Sequence, residues 1–155
     1  MLANQNKAHA YIYGASINAS YNFIKNTSVE GVVTYTNGRY TSNGITVPLD
    51  HIPPVYGRIS VKHTEQKWNA EIFSLFNGWK RIEDYNPYGE DNLQYATVDG
   101  MPSWHTLNIR VALNLIKSDF FQLTIENILD KNYRYFASGI SAPGRNFVLS
   151  LKIGF

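Results

Sequence analysis

The last eleven residues of the chain, Arg145 to Phe155, read RNFVLSLKIGF. Every second position carries a large apolar residue, and the positions between are mostly polar. The apolar series is Phe147, Leu149, Leu151, Ile153 and Phe155. A repeat of two residues predicts a β-strand with one apolar face and one mostly polar face. A strand of about 9–11 residues crosses a bilayer at a tilt, so we favour a membrane strand over the edge strand of a soluble sandwich.

Composition limits the class of protein. The 155 residues suit a single domain, and with 44% hydrophobic and 17% charged residues the chain is not a disordered one. The 11 Tyr and 8 Phe favour strands and also suit the aromatic girdles of membrane barrels. There is no Cys, which excludes disulfides and thiolate metal sites. A net charge of +2, with scattered Lys and Arg, gives no basis for expecting a nucleic-acid partner.

Membrane and export signals of the usual kinds are missing from the sequence. No run of 18 apolar residues predicts a transmembrane helix, although barrel strands conceal their apolar residues by alternation. The start, MLANQNKAHAY, lacks the charged and apolar regions of a signal peptide. For an exported protein we therefore expect either that a signal was removed or that the chain is a piece of a longer protein.

Six further stretches are predicted to be strands, which makes seven antiparallel strands in a meander. They are residues 8–24, 28–39, 55–63, 68–79, 104–115 and 119–128. In the fourth strand, Phe73, Leu75 and Phe76 interrupt the alternation, and we consider a bulge there. Short turns near residues 25, 65 and 117 alternate with long loops at 40–54, 80–103 and 129–144. This asymmetry is typical of outer-membrane barrels. The sequence therefore predicts an all-β fold, a segment of an antiparallel transmembrane β-barrel.

The two faces of the predicted strands differ in polarity, but alternation alone does not say which face points outward. A soluble barrel would turn its apolar face inward, whereas a membrane barrel would turn it to lipid. Aromatic residues near the strand ends favour the membrane barrel. The polar face carries Glu30, Arg58, Lys62, Arg110, Gln122, Glu126 and Lys152.

The C-terminal third contains two short motifs, ENILDKNY at residues 126–133 and APGRNF at residues 142–147. Together with the terminal Phe155 they resemble the end of TonB-dependent outer-membrane receptors. The positions that match the family are Asn127, Asp130, Tyr133, Pro143, Gly144 and Arg145. Ile128 is a mild departure, because it stands one position ahead of the usual Leu. Residues 35–38 and 48–54 and Gly57 resemble the upstream strand, external loop and returning strand of the family.

The resemblance implies a function, a location and a set of partners. It implies a receptor in the outer membrane that takes up a scarce ligand, such as an iron–siderophore, haem or a vitamin. The expected partners are outer-membrane lipid, the remaining strands and plug of a longer receptor, the outer-membrane assembly machinery and, indirectly, TonB. Residues 1–155 would be the C-terminal part of the barrel, without a plug domain and unable to transport alone. Members of this class have 22 strands around a plugged lumen.

Candidate functional residues each have a second interpretation. The series Phe147, Leu149, Leu151, Ile153 and Phe155 resembles a barrel-assembly signal, or is an ordinary lipid-facing strand. The acidic loop 80–103 could touch a ligand or a divalent cation, although a solvated loop is the simpler interpretation. Charges on the polar face could contact a plug or pair with charges on neighbouring strands. Four His show no metal-ligand spacing, and no catalytic motif is present. We expect no cofactor and no enzyme.

Two other classes of protein remain open. One is a complete small outer-membrane barrel of about eight strands with a structural or adhesive role. The other is a soluble β-barrel that binds a ligand in its interior.

Overall fold

The computed structural model describes residues 9–114 and 119–153, which form an all-β fold. One antiparallel sheet of eight strands contains seven long strands and one short one. Its strands are β1 (His9–Ile24), β2 (Thr27–Ser42), β3 (Ile45–Pro48), β4 (Tyr56–Thr64) and β5 (Trp68–Asn77), then β8 (Trp104–Asn114), β9 (Phe120–Glu126) and β10 (Asn146–Lys152). A separate two-stranded ribbon consists of β6 (Lys80–Arg81) and β7 (Gly100–Met101). Two 3₁₀ turns cover Ile82–Asp84 and Leu93–Tyr95.

Each long strand is hydrogen-bonded to the next long strand along the chain, in the order β1-β2-β4-β5-β8-β9-β10. The seven predicted long strands are therefore confirmed, with shifts of a few residues at their ends. The short β3 pairs only with β2, across a turn in which Asn43 and Gly44 both have positive φ. That Asn-Gly pair is a strong hairpin signal. Pro48 ends β3 at the margin of the sheet, where a missing N–H costs nothing.

The bulge considered in the fourth strand is wrong. Within β5, residues 69–77 pair without interruption with β4 and residues 68–77 with β8. The register shifts instead between β1 and β2, near Asn22 and Ile24. Phe73 pairs with Ser60 and Asn108, so it lies on the polar face of the sheet and is buried there. The alternation is blurred because this aromatic ring occupies a place on the polar face.

The described sheet is open. β1 pairs only with β2, and β10 pairs only with β9, and no pairing between β1 and β10 occurs in the described residues. Closure into a barrel therefore stays a prediction. The helices within the described ranges are too short and polar to span a membrane.

Candidate functional site

Most of the large apolar residues of the sheet lie on its more exposed face. The pairing aligns one row across all seven long strands, formed by Tyr21, Val29, Val61, Ile72, Ile109, Ile125 and Phe147. Most of this row is exposed, with Tyr21 at 70% and Phe147 at 65%. In the described sheet the apolar face is therefore the more exposed of the two.

The polar face is the more buried one on the inner strands of the sheet, whereas β1 is exposed on both faces. Its buried members include Ser60, Glu71, Thr106, Asn108 and Thr124. In water this arrangement is the reverse of what the hydrophobic effect favours, because apolar side chains are exposed and polar ones are withdrawn from solvent. The described sheet thus exposes mainly apolar side chains on one face and buries polar ones on the other.

A charge cluster occupies the middle of the polar face. The Glu71 carboxylate accepts hydrogen bonds from Arg58 Nη2 at 2.7 Å and from Arg110 Nη1 at 3.4 Å. Both guanidinium groups lie over the Phe73 ring, 4.5 Å and 5.2 Å from its centroid. These cation–π contacts and ion pairs connect the adjacent strands β4, β5 and β8. The expected cross-strand pairing of Arg58 and Arg110 is confirmed, and Glu126 likewise accepts a hydrogen bond from Asn146 at 3.2 Å.

The three long loops pack together at one end of the sheet. We call residues 43–55, 78–103 and 127–145 the loop layer. Buried Asp91 accepts hydrogen bonds from the backbone N–H of His51 at 2.7 Å and of Asn86 at 3.2 Å. Asn92 Nδ2 donates to the Ala137 carbonyl at 2.6 Å, which ties the second loop to the third. The interpretation of residues 80–103 as a merely solvated loop is therefore wrong for its buried middle part.

A buried lysine of the second loop contacts the first and the third loop. Lys80 Nζ donates to the Ile52 carbonyl at 2.6 Å and lies 4.9 Å from the Phe136 ring centroid. Burial lowers the pKa of this ammonium below its usual value, and nearby Asp91 and Asp84 oppose that shift. In the described part of the chain, no group of three or more His, Asp or Glu side chains is placed to hold a metal ion.

Five of the six residues that match the family motif lie together between β9 and β10, and four of them take part in hydrogen bonds that we call the clasp. The Asn127 amide donates to the carbonyls of Lys131 at 2.8 Å and Pro143 at 3.3 Å, and its oxygen accepts from the Lys131 N–H at 2.9 Å. Asp130 accepts from the Arg145 N–H at 2.8 Å. A side chain at Gly144 would stand 2.6 Å from that Asp130 carboxylate, which explains the glycine. This geometry gives the motif a structural role in the fold.

The sixth motif residue, Tyr133, belongs to an aromatic cluster. Its ring lies 4.3 Å from that of Trp104 and 5.6 Å from that of Tyr135, between centroids. Burial and then the hydrogen bond with Tyr135 raise the pKa of Tyr133 to about 12. The Tyr133 hydroxyl therefore stays neutral across the physiological pH range.

Four of the five residues proposed as an assembly signal are described, and they lie on the apolar face of β10 or just after it. Phe147, Leu149 and Leu151 are 62–65% exposed, and Ile153 follows the strand, also exposed. Phe155 is outside the described residues. The four described side chains are exposed, and the role of the series in assembly stays a prediction.

Several residues of the site were missed by the sequence analysis. Glu71 was placed on a strand but not recognised as the partner of two arginines, although its polar position between arginine-bearing strands was a signal. Asp91 and Trp104 gave no such signal, because their burial depends on loops that are distant in sequence. Ile12 is an apolar residue on the polar side of β1 and pairs with Gly38. A side chain at Gly38 would collide with Ile12, Leu49 and Ile52.

The chain is an all-β protein whose sheet exposes apolar side chains on one face. Its other face is polar and charged, and the three long loops pack together at one end. No family model matches the chain. Lactoferrin-binding protein A of Neisseria meningitidis, from serogroup B and from serogroup A strains, is 29% identical to it over 59% of the chain. This match covers 12% of the relative, so the chain spans about one eighth of the length of the curated relatives it matches.

Among solved structures, the chain is similar to copper transporter OprC, with a TM-score of 0.75 and 20% sequence identity. The similarity covers 89% of this chain and 22% of that one. At this identity it shows the fold. The comparisons thus give a distant sequence relative and a similar fold, and they identify no ligand of this chain.

Proposed function

We propose that this chain forms part of the β-barrel of an outer-membrane receptor that takes up a scarce ligand by TonB-dependent transport. The single observation that carries the proposal is the direction of the two faces. An exposed apolar row across seven strands suits contact with lipid, and the Arg58–Glu71–Arg110 cluster suits a polar lumen. The named relatives, a lactoferrin-binding protein and a copper transporter, support the receptor and transport part.

The sheet requires further strands because both of its edges are open in the described residues. Within residues 9–114 and 119–153, the sixteen residues of β1 have a neighbouring strand on one side only, and so do those of β10. Unpaired backbone groups in lipid cost several kcal/mol each, so the sheet must be completed. We infer that the remaining strands and a plug of a longer receptor supply the missing partners. In this proposal the chain has no catalytic role and binds no nucleic acid.

The membrane location can be tested with two adjacent residues of β9 that lie on opposite faces. Leu123 is exposed on the apolar face, and Gln122 lies on the polar face. We expect Leu123→Lys to lower the free energy of unfolding in lipid by about 2 kcal/mol, because a charge on the lipid face is costly. Gln122→Lys should have little effect. Urea unfolding in lipid vesicles, with the fraction recovered in outer membranes, measures both.

Equal behaviour of the two lysine variants would contradict a lipid-facing apolar surface. Recovery of the unaltered protein in the soluble fraction without detergent would do the same, and would favour a soluble ligand-binding barrel. Both outcomes concern location and leave the ligand aside.

Transport is tested by uptake in cells that make or lack the protein. We expect accumulation of one ligand class among ferric siderophores, haem and vitamins to require the protein and an energised inner membrane. Collapse of the proton gradient should abolish this accumulation while surface binding remains. Accumulation that persists without the protein, or without energy, would contradict the proposed function. Uptake by residues 1–155 alone would contradict the need for further strands.

A further inference from the structure

The hairpin turn between β2 and β3 consists of Asn43 and Gly44, and both residues are exposed. Their φ angles are 53° and 78°, and the pairing of Ser42 with Ile45 closes the turn. A Cβ added to Gly44 would meet no atom within 4 Å outside its own neighbours in the chain. Water and hydroxide therefore have free access to the peptide bond that joins the two residues.

An Asn-Gly pair permits a reaction within the chain. The glycine nitrogen gives up its proton to hydroxide and attacks the asparagine Cγ, so that a C–N bond forms and ammonia leaves. The product is a cyclic imide, and water opens it at either carbonyl to give Asp or isoaspartate. The net reaction consumes one water and releases one ammonia. Glycine favours the attack because no Cβ obstructs the approach.

Both reacting groups of the turn are free. Within residues 9–114 and 119–153, no hydrogen bond joins the Gly44 N–H or the Asn43 side-chain amide to another group. An unbonded N–H loses its proton to hydroxide more readily, and an unbonded amide can rotate toward the nitrogen. The turn also lies at the end of a short strand pair, where local opening costs little free energy.

The chain contains two other Asn-Gly pairs, and both are constrained by the fold. The Gly78 N–H donates to the Val55 carbonyl at 2.6 Å, and the Asn77 amide donates to the Gly78 carbonyl at 3.2 Å. Asn77 is also only 7% exposed. Asn37 and Gly38 lie inside β2, where both are paired with β1, and Gly38 is buried. The three pairs are therefore alike in sequence but differ in how accessible their reacting groups are.

We propose that Asn43 is a site of spontaneous deamidation, in which the Gly44 nitrogen attacks the Asn43 Cγ. Asn37 and Asn77 stay intact in the folded protein. Each event adds one negative charge to the tip of the hairpin, and isoaspartate also inserts a methylene group into the backbone. A two-residue turn with a fixed register does not fit that extra length. Because β3 pairs only with β2, the change loosens β3 and leaves the long strands paired.

This inference goes beyond the proposed function and requires neither a membrane nor a ligand. The test incubates the purified protein, as expressed from its own gene, in detergent and a mildly alkaline buffer made with H₂¹⁸O. Hydrolysis of the imide then leaves ¹⁸O in the new carboxyl group. Digestion with trypsin in ordinary water follows, and it places the three Asn-Gly pairs in different peptides.

We expect the Asn43 peptide to gain ¹⁸O at least about tenfold faster than the Asn37 and Asn77 peptides, because the constrained pairs react only after local opening. In urea the three rates should become similar, since the fold no longer distinguishes the pairs. Equal ¹⁸O uptake at the three pairs in the folded protein would overturn the proposal. Uptake at Asn43 that occurs only in urea would overturn it as well.

The matched control is Asn43→Gly, because glycine accepts the positive φ of the turn and lacks the amide. This variant should gain no ¹⁸O in the hairpin peptide, and the Asn37 and Asn77 peptides should behave as before. Label that persists in the hairpin peptide of the variant would show that another residue reacts, which contradicts the assignment to Asn43.

The effect on the hairpin is measured by hydrogen exchange of the deamidated fraction, which ion exchange separates by its extra negative charge. The backbone amides of β3 should exchange faster than in the unmodified fraction, while those of β9 keep their protection. Unchanged exchange at Ile45 and Val47 in the isoaspartate form would refute the loosening of β3.

Discussion

Replacement of Asn127 by Ala is expected to lower the free energy of unfolding by about 4 kcal/mol. The Asn127 side chain makes three hydrogen bonds to the backbone of Lys131 and Pro143, and the residue is almost fully buried. Its φ of 50° is left-handed, a conformation that Asn tolerates and Ala disfavours. Urea unfolding followed by tryptophan fluorescence measures the change.

Two controls separate the causes of the Asn127 effect. Asn127→Gly keeps the left-handed backbone accessible and removes only the amide, so it should cost about 1 kcal/mol less than Ala. Asn132→Ala removes an exposed amide five residues away and should change little. If Asn127→Ala were no worse than Asn132→Ala, the clasp would not stabilise the fold.

Replacement of Asp91 by Ala is expected to cost about 3 kcal/mol, concentrated in the loop layer. The buried carboxylate accepts backbone hydrogen bonds from His51 and Asn86, and both donors would lose this partner. Hydrogen bonds to charged groups contribute about 1.5–3 kcal/mol each. The buried Lys80 ammonium would also lose a nearby opposite charge. Hydrogen exchange should show faster opening at the His51 and Asn86 amides, while β9 keeps its protection.

The control for Asp91 is another acid of the same loop. Asp99 is exposed, and its contact with the Trp79 indole uses the backbone carbonyl, so Asp99→Ala should leave exchange unchanged. Asp91→Asn keeps one acceptor oxygen and should give an intermediate effect. Unaltered exchange at His51 in Asp91→Ala would mean that the loops are held together by other contacts.

Most of the strand pattern was predictable because each strand is defined by its own residues. Residues 104–115 and 145–155 alternate cleanly, and the structure has β8 at Trp104–Asn114 and β10 at Asn146–Lys152. The loop layer was less predictable. In its ribbon, β6 pairs with β7, which lies about twenty residues further along the sequence. Strands of two residues are too short to show an alternating pattern.

For the candidate site, too, the residues were predictable from the sequence but their contacts were not. The polar face, with Arg58, Arg110 and Glu126, followed from alternation, because neighbours two residues apart share a side of a strand. The pairing of both arginines with Glu71 around Phe73 required the register, which places β4, β5 and β8 side by side. The C-terminal motif was recognised by resemblance, but its clasp was visible only when residues 127 and 143–145 came together.

The sequence by itself determined that this protein is all-β, with seven long two-faced strands joined by short turns at one end and long loops at the other. These properties are encoded in neighbouring residues through the two-residue period and the turn residues. Only the tertiary structure decided which face is exposed, how the loops enclose Trp104 and that Asp91 is buried. Exposure and burial depend on contacts between residues distant in sequence, and no local pattern contains them.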